Sequence, residues 1–133
     1  MVKLKILFLI LALSGCATNH PTLDSWSRIG DANWIATNNT ATSTNESGTG
    51  FLVSANRFEN FELTVEFKPD TKVNSGILVR CQDPLSIAPT NCYEINIWDS
   101  HPNQDYRTGA IVIHSYPPFE HLDSVDQWNQ YRI

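Results

Sequence analysis

Arg80 and Glu94 belong to two short segments whose residue types suit contact with hydroxylated small molecules: Asn74-Ser75-Gly76-Ile77-Leu78-Val79-Arg80 and Tyr93-Glu94-Ile95-Asn96-Ile97-Trp98-Asp99. Both alternate β-branched or aromatic residues with other types, and the polar, proline-containing stretch Gln82 to Asn91 between them reads as a hairpin loop. A register with Arg80 opposite Glu94 places Gly76, Leu78 and Arg80 beside Glu94, Asn96 and Trp98 on one face. Ile77, Val79, Tyr93, Ile95 and Ile97 then point into a core. The first face offers a cation, a carboxylate, an amide and an indole, a set that grips a sugar by hydrogen bonds to hydroxyls and by stacking on a ring. Glu66 joins the same surface from an earlier strand, and Asp99, Ser100 and His101 follow at the strand end, where loops carry function.

The elements that must position these residues are all strands. Phe61 to Phe67 alternates strictly, with Glu62, Thr64 and Glu66 on the polar side. Trp26 and Trp34 flank Ile29-Gly30-Asp31 as two short strands around a turn, and Thr37 to Gly50 is a strand pair or a polar loop. Phe51 to Val53, Gly109 to His114 and Trp128 to Ile133 complete the strand candidates, and no segment of helical length carries a 3.6-residue period. Short strands with turn signals and no helices between them predict an all-β, antiparallel β-sandwich. Trp26, Trp34 and Trp128 are expected in its core. The last strand has no turn after it, so the reading is of a sandwich whose C-terminal strands are missing.

The first 15 residues read as a leader outside that domain: Lys3 and Lys5 precede the apolar run Ile6 to Leu13, and Leu13-Ser14-Gly15-Cys16 resembles the lipobox of bacterial lipoproteins. A membrane span needs about 18 or more apolar residues, more than this run supplies. The resemblance implies acylation of Cys16 and a lipid-anchored domain in the cell envelope, at the periplasmic face of the outer membrane or at the cell surface. Residues 16–24 then form a polar tether and residues 25–133 the domain. Removing Lys3 and Lys5 from 9 basic side chains leaves 7 against 14 acidic ones, a formal charge of −7 that excludes nucleic acid as the expected partner. Cys81 and Cys92 flank the hairpin loop, and an exported location makes a disulfide their default. The assumed register leaves them one step out of line, so the bridge requires the strand end to bulge or fray.

From about Ser25 onward the chain resembles the 3-keto-disaccharide hydrolase domain family, a concanavalin-like jelly roll. The matching blocks are Trp26 and Trp34, Asn60-Phe61-Glu62-Leu63 with Glu66-Phe67-Lys68, Asn74-Ser75-Gly76 through Arg80, Tyr93-Glu94-Ile95-Asn96-Ile97 with Asp99, Thr108-Gly109-Ala110-Ile111, and Trp128-Asn129 with Tyr131-Arg132-Ile133. Asn96 stands where the family usually has Gln, and Val112 where a tyrosine is common. Family members continue past the last of these blocks. The resemblance implies cleavage of glycosides oxidised at sugar C3, where the ketone acidifies the C2 proton and the aglycone leaves from C1, with water adding afterwards. That chemistry implies Glu94 as base or metal ligand, Arg80 as the group that orients it or stabilises the enolate, and Asp99, His101 and Glu66 as further acids or ligands. Asn96 and Trp98 complete the sugar contacts. A divalent metal held by Glu94 and His101 is compatible with the resemblance, though no ligand spacing requires one. A carbohydrate-binding module without catalysis is the alternative function.

The leader generates one expectation of its own. Cys16→Ser abolishes incorporation of a palmitate analogue in metabolic labelling, whereas equal labelling of both forms rules the lipobox out.

Overall fold

The computed structural model describes residues 1–9, 23, 26–37, 39–43, 48–118 and 123–133. Cys16, most of the 16–24 tether, His20 and His121 lie outside the described residues. Among the described residues the extended elements are β1 (Val2–Leu9), β2 (Ser27–Gly30), β3 (Trp34–Thr37), β4 (Thr40–Ser43), β5 (Gly50–Val53), β6 (Glu62–Pro69), β7 (Ser75–Val79), β8 (Tyr93–Ile97) and β9 (Asn129–Arg132), with a 3-10 turn at Gln104–Tyr106. The fold class is all-β with antiparallel pairing, as the strand patterns predict.

The chain divides into two compact units, Met1 with Pro69–Gln127 and Val2–Lys68 with Trp128–Ile133. In the second, the strand order is β3-β4-β1-β6-β9, beside a separate β2-β5 pair. The alternation of β6 produces its burial: Leu63, Val65 and Phe67 are nearly inaccessible while Glu62, Thr64 and Glu66 are half-buried on the other side. Phe67 packs on Tyr131 of β9, with ring centroids 4.4 Å apart, and Arg132 donates to Glu62 at 2.7 Å. Glu66 pairs in register with Gln130.

Several expectations change here. β2 and β3 do not pair with each other across the Ile29–Asp31 turn; β2 pairs with β5 and β3 with β4. Trp128, expected in the core, is 46% exposed. Val2–Leu9, within the residues read as a leader, lies between β4 and β6, with Lys3 opposite Thr42 and Lys5 opposite Thr40, a pairing that does not bear on whether the segment is a leader. Two open edges accept an apolar segment of that length whatever its origin, because it pairs their backbone groups. Leu23, the described residue of the tether, is buried, and its carbonyl accepts from the Trp26 N–H at 3.1 Å.

The first unit is built on the β7-β8 hairpin, with Ser75 opposite Ile97, Ile77 opposite Ile95 and Val79 opposite Tyr93. Ile95 and Ile97 face its core. Cys81 and Cys92 are joined, with Cα atoms 4.1 Å apart. Inside the loop they close, Gln82 N–H donates to the Asn91 carbonyl at 3.0 Å and Ala88 N–H to Asn91 Oδ1 at 2.9 Å. The Gly109–His114 segment, expected as a strand, is reduced to single bridges, Ile95 with Ile111 and Ile111 with Ser115, and it turns through Ile113 at φ 60°.

The cysteines are 11 residues apart. Closing a loop of that order removes denatured-state entropy worth about 2–3 kcal/mol. The double variant Cys81→Ala/Cys92→Ala therefore loses stability of about 2–3 kcal/mol in urea titration, and a loss near zero shows that the loop is held by its internal hydrogen bonds alone.

Candidate active site

Glu94 lies opposite Leu78 on β8, and Gly76 lies opposite Asn96. The Glu94 side chain runs diagonally over Gly76: a Cβ at position 76 would fall 2.6 Å from Oε1 and 2.8 Å from Cγ of Glu94. In this conformation the Glu94 carboxyl takes up the room that a side chain at position 76 would need, and the glycine leaves it free. Glu94 is half-buried, and burial pushes its carboxyl above the ordinary carboxylate range. A carboxylate so placed is a stronger base than one in water.

Arg80 does not take the position expected for it. The ladder is shifted by two residues, so Leu78 stands opposite Glu94 and Arg80 lies beyond the last pair, Val79 with Tyr93. Arg80 is exposed and adopts φ 57°, the left-handed turn by which the strand leaves the ladder and reaches the disulfide. The fray that the two cysteines demand is therefore taken up at Arg80. Because the shift is even, Gly76, Leu78, Glu94 and Asn96 still share one face.

Asp99, expected as an acid or ligand, and Asn96, expected as a sugar contact, are engaged by the protein itself. Asp99 accepts from Ser124 N–H at 2.6 Å through Oδ2 and from Ser124 Oγ–H at 2.7 Å through Oδ1, and Ser124 is fully buried. Both oxygens thus clamp the 123–127 segment to the end of β8. Asn96 is 3% exposed; its amide donates to the Tyr106 carbonyl, and its Oδ1 accepts from Ile97 N–H at 3.0 Å.

Trp98 and His101 are half-buried and meet at a ring-centroid distance of 4.4 Å, while His101 meets Tyr106 at 5.8 Å. Trp98 Nε1–H donates to Ser100 Oγ at 3.2 Å, and His101 Nδ1 lies 3.0 Å from Asn103 N and 2.7 Å from its carbonyl oxygen. The three rings fix the 98–107 loop at the end of β8. Glu66 belongs to the other unit and is placed only there. Among the described residues no group of three or more His, Cys, Asp or Glu side chains is placed to hold a metal ion.

The far edge of β8 carries a feature that the sequence reading missed. Gly109 N–H donates to the Asn96 carbonyl at 3.0 Å while Asn96 N–H donates to the Ala110 carbonyl at 2.9 Å, and Gly109 has φ 92°. Two residues thus oppose one, with a left-handed glycine first, which is a β-bulge of the glycine type. Just before it, Arg107 Nε and Thr108 Oγ1 are buried with no hydrogen-bond partner. The visible signal was the Thr108-Gly109 pair, read only as part of a matching block. A shallow cleft of about 190 Å³ opens at the same end of β8, between Asp70, Asp99, Ser100 and Val125. Its two carboxylates are engaged, Asp99 by Ser124 and Asp70 by Lys72 N–H and the N-terminal ammonium.

Residues 17–133 match the family model described as the 3-keto-alpha-glucoside-1,2-lyase-like domain. The chain belongs to this family. No curated protein and no solved structure matches it. The matched residues include β2 to β9 and exclude β1. Within this family's blocks as they stand here, Gly76 is the glycine that makes room for Glu94, and Gly109 is the one that forms the bulge beside Asn96.

A buried acid whose folded-state pKa is raised contributes stability in its protonated form, fully present below the unfolded pKa and lost as pH rises through the folded value. Wild type therefore bears the cost of ionising Glu94 at neutral pH, and the neutral isostere does not. Glu94→Gln melts above wild type at pH 7 and matches it in acid, as thermal melts at the two pH values will read; a lower melting temperature at pH 7 shows that the carboxylate is held by a favourable partner.

Proposed function

We propose that this chain cleaves glycosides carrying a ketone at C3 of the sugar, with Glu94 as the base that removes the C2 proton. The observation that carries the reading is the half-buried Glu94 carboxyl lying across the bare backbone of Gly76, with its proton affinity raised by burial. A ketone at C3 makes the C2 proton acidic enough for a carboxylate to take it. As the C2–H bond breaks, its electron pair forms C2=C3 and the carbonyl pair moves onto oxygen. Return of that pair re-forms C3=O, makes C1=C2 and expels the aglycone oxygen from C1, which takes the proton back from Glu94. Water then adds to the unsaturated sugar when hydrolysis is the outcome. One carboxyl serves as base and then acid, and burial keeps it protonated long enough to do so.

The family membership supports the substrate class, and the acidic balance of the chain fits a neutral sugar better than a polyanion. The family match opens at residue 17, directly after Cys16, which supports a lipid-anchored domain in the cell envelope. The exposed rings of Tyr93 and Tyr116 favour a second reading, a lectin-like module that binds sugar without cleaving it.

Product release from a 3-keto-disaccharide and from its unoxidised parent decides between these. Wild type cleaves only the keto-sugar, and kcat/KM rises with pH through a pKa above the ordinary carboxylate range. Glu94→Gln lowers cleavage by about 10²–10⁴-fold while binding persists. Cleavage at the wild-type rate removes Glu94 from the mechanism, and binding without cleavage by wild type selects the lectin-like module.

A further inference from the structure

We propose that the Cys81–Cys92 disulfide is a redox-sensitive catch that keeps Arg80 out of the β7-β8 ladder, and that its reduction lets the ladder lengthen by one pair and carries the Arg80 guanidinium to the Glu94 carboxyl. The inference rests on the reading of Glu94 as base for its effect on catalysis, and on the geometry of the hairpin for everything else. Val79 is the last ladder residue, opposite Tyr93, and contact between the two arms resumes where Gln82 N–H donates to the Asn91 carbonyl at 3.0 Å. Between these points Arg80 and Cys81 together face Cys92, with Arg80 at φ 57°. Two residues against one, with a left-handed residue first, is the geometry of a glycine-type β-bulge. Here it is built with an arginine where glycine fits best.

A non-glycine residue in that conformation is strained and persists only where its surroundings over-determine it. The disulfide does so, because it ties Cys81 directly to Cys92, with Cα atoms 4.1 Å apart, and leaves Arg80 as the surplus residue. Cys81 is the less buried of the two, so its sulfur is the one a dithiol reductant attacks. The S–S bond breaks, Cys92 leaves as a thiolate and takes a proton, and the second thiol of the reductant releases Cys81 while closing into its own disulfide. Freed of the tie, Arg80 takes extended backbone opposite Cys92, Cys81 moves opposite Asn91, and the surplus residue passes into the 82–91 loop. Even steps along a strand keep one face, so Arg80 joins Gly76 and Leu78 there. It becomes the diagonal neighbour of Glu94, about 7–8 Å away and within reach of a long side chain. In the bridged state burial is the cause that moves the proton affinity of Glu94. Neither β7 nor the 110–113 segment on its other flank carries an ionisable side chain, and the Cys92 thiol stays neutral through the carboxylate range. The arriving guanidinium favours the ionised carboxylate, so reduction weakens Glu94 as a base.

The test titrates the carbon-13 carboxyl resonance of Glu94 in the full chain, oxidised and after treatment with a dithiol, with thermal melts of both forms. In wild type, reduction leaves a cooperative melt and raises the ionised-to-protonated ratio of Glu94 at a fixed pH by about tenfold or more. Arg80→Gly takes a left-handed φ without strain and carries no charge, so its Glu94 titrates alike in both redox states. Arg80→Lys keeps the redox dependence, and should Arg80→Gly not fold, Arg80→Asn, which also tolerates the left-handed region, takes its place. On methyl 3-keto-α-glucoside, the kcat/KM profile of reduced wild type lies at lower pH than that of the oxidised form. A Glu94 titration unchanged by reduction overturns the catch and leaves the base reading standing, as does a shift that persists in Arg80→Gly. A reduced chain without a cooperative melt also overturns it, since a catch must open without unfolding the strand it holds. If the titration shifts as described in a protein that cleaves no keto-sugar, Glu94 is not the base and the catch remains.

Discussion

The Glu94 carboxyl occupies its position because residue 76 has no side chain. Any Cβ there falls within 2.6 Å of Oε1, so the carboxylate and the glycine are one feature written at two places in the sequence. A carboxyl held against a strand backbone is cut off from part of its water, and the charged form is thereby disfavoured. That cost must be met by surroundings rigid enough to keep the group from swinging out to solvent. The five-pair β7-β8 ladder, the disulfide at its far end and the Asp99–Ser124 clamp at its near end supply that rigidity. Residues that look catalytic by type, Asp99 and Asn96, are thus drawn into holding the strand on which Glu94 sits.

The displaced register has a chemical consequence. An arginine directly opposite Glu94 favours the ionised carboxylate and lowers its proton affinity, which weakens it as a base. With Leu78 opposite instead, burial is the cause that moves the Glu94 pKa, and it moves it upward.

How much of this the sequence reveals follows from what period-two patterns determine. They assign residues to faces, so the grouping of Gly76, Leu78, Glu94 and Asn96 and the buried row Leu63, Val65 and Phe67 is legible before any coordinates. They do not fix register, since a slip of two residues leaves every side chain on its original face. Arg80 was misplaced by that amount, and only the disulfide, already one step out of line, hinted that the strand had to end early. The type of a side chain also says nothing of its partner: the Asp99 carboxylate reads as an acid or ligand until a buried serine 25 residues later takes both oxygens. The bulge was marked by its glycine, but a single glycine in a strand pattern does not say which neighbours it turns inward.

The position of β1 joins the fold to the question of export. Val2–Leu9 lies between β4 and β6 and outside the residues matched by the family. The same residues carry the features of a leader, because an apolar stretch with two flanking lysines suits a signal segment and a sheet strand equally well. Cleavage before Cys16 removes β1 and opens facing edges on β4 and β6, whose backbone groups must then find one another, a different strand or water. β6 has its other edge paired with β9 and its apolar row nearly inaccessible, so the burden of rearrangement falls on the shorter β3-β4 hairpin. The β7-β8 ladder, the bulge and Glu94 share no strand with that sheet. The local pairing that holds Glu94 is thus formed within β7 and β8 themselves.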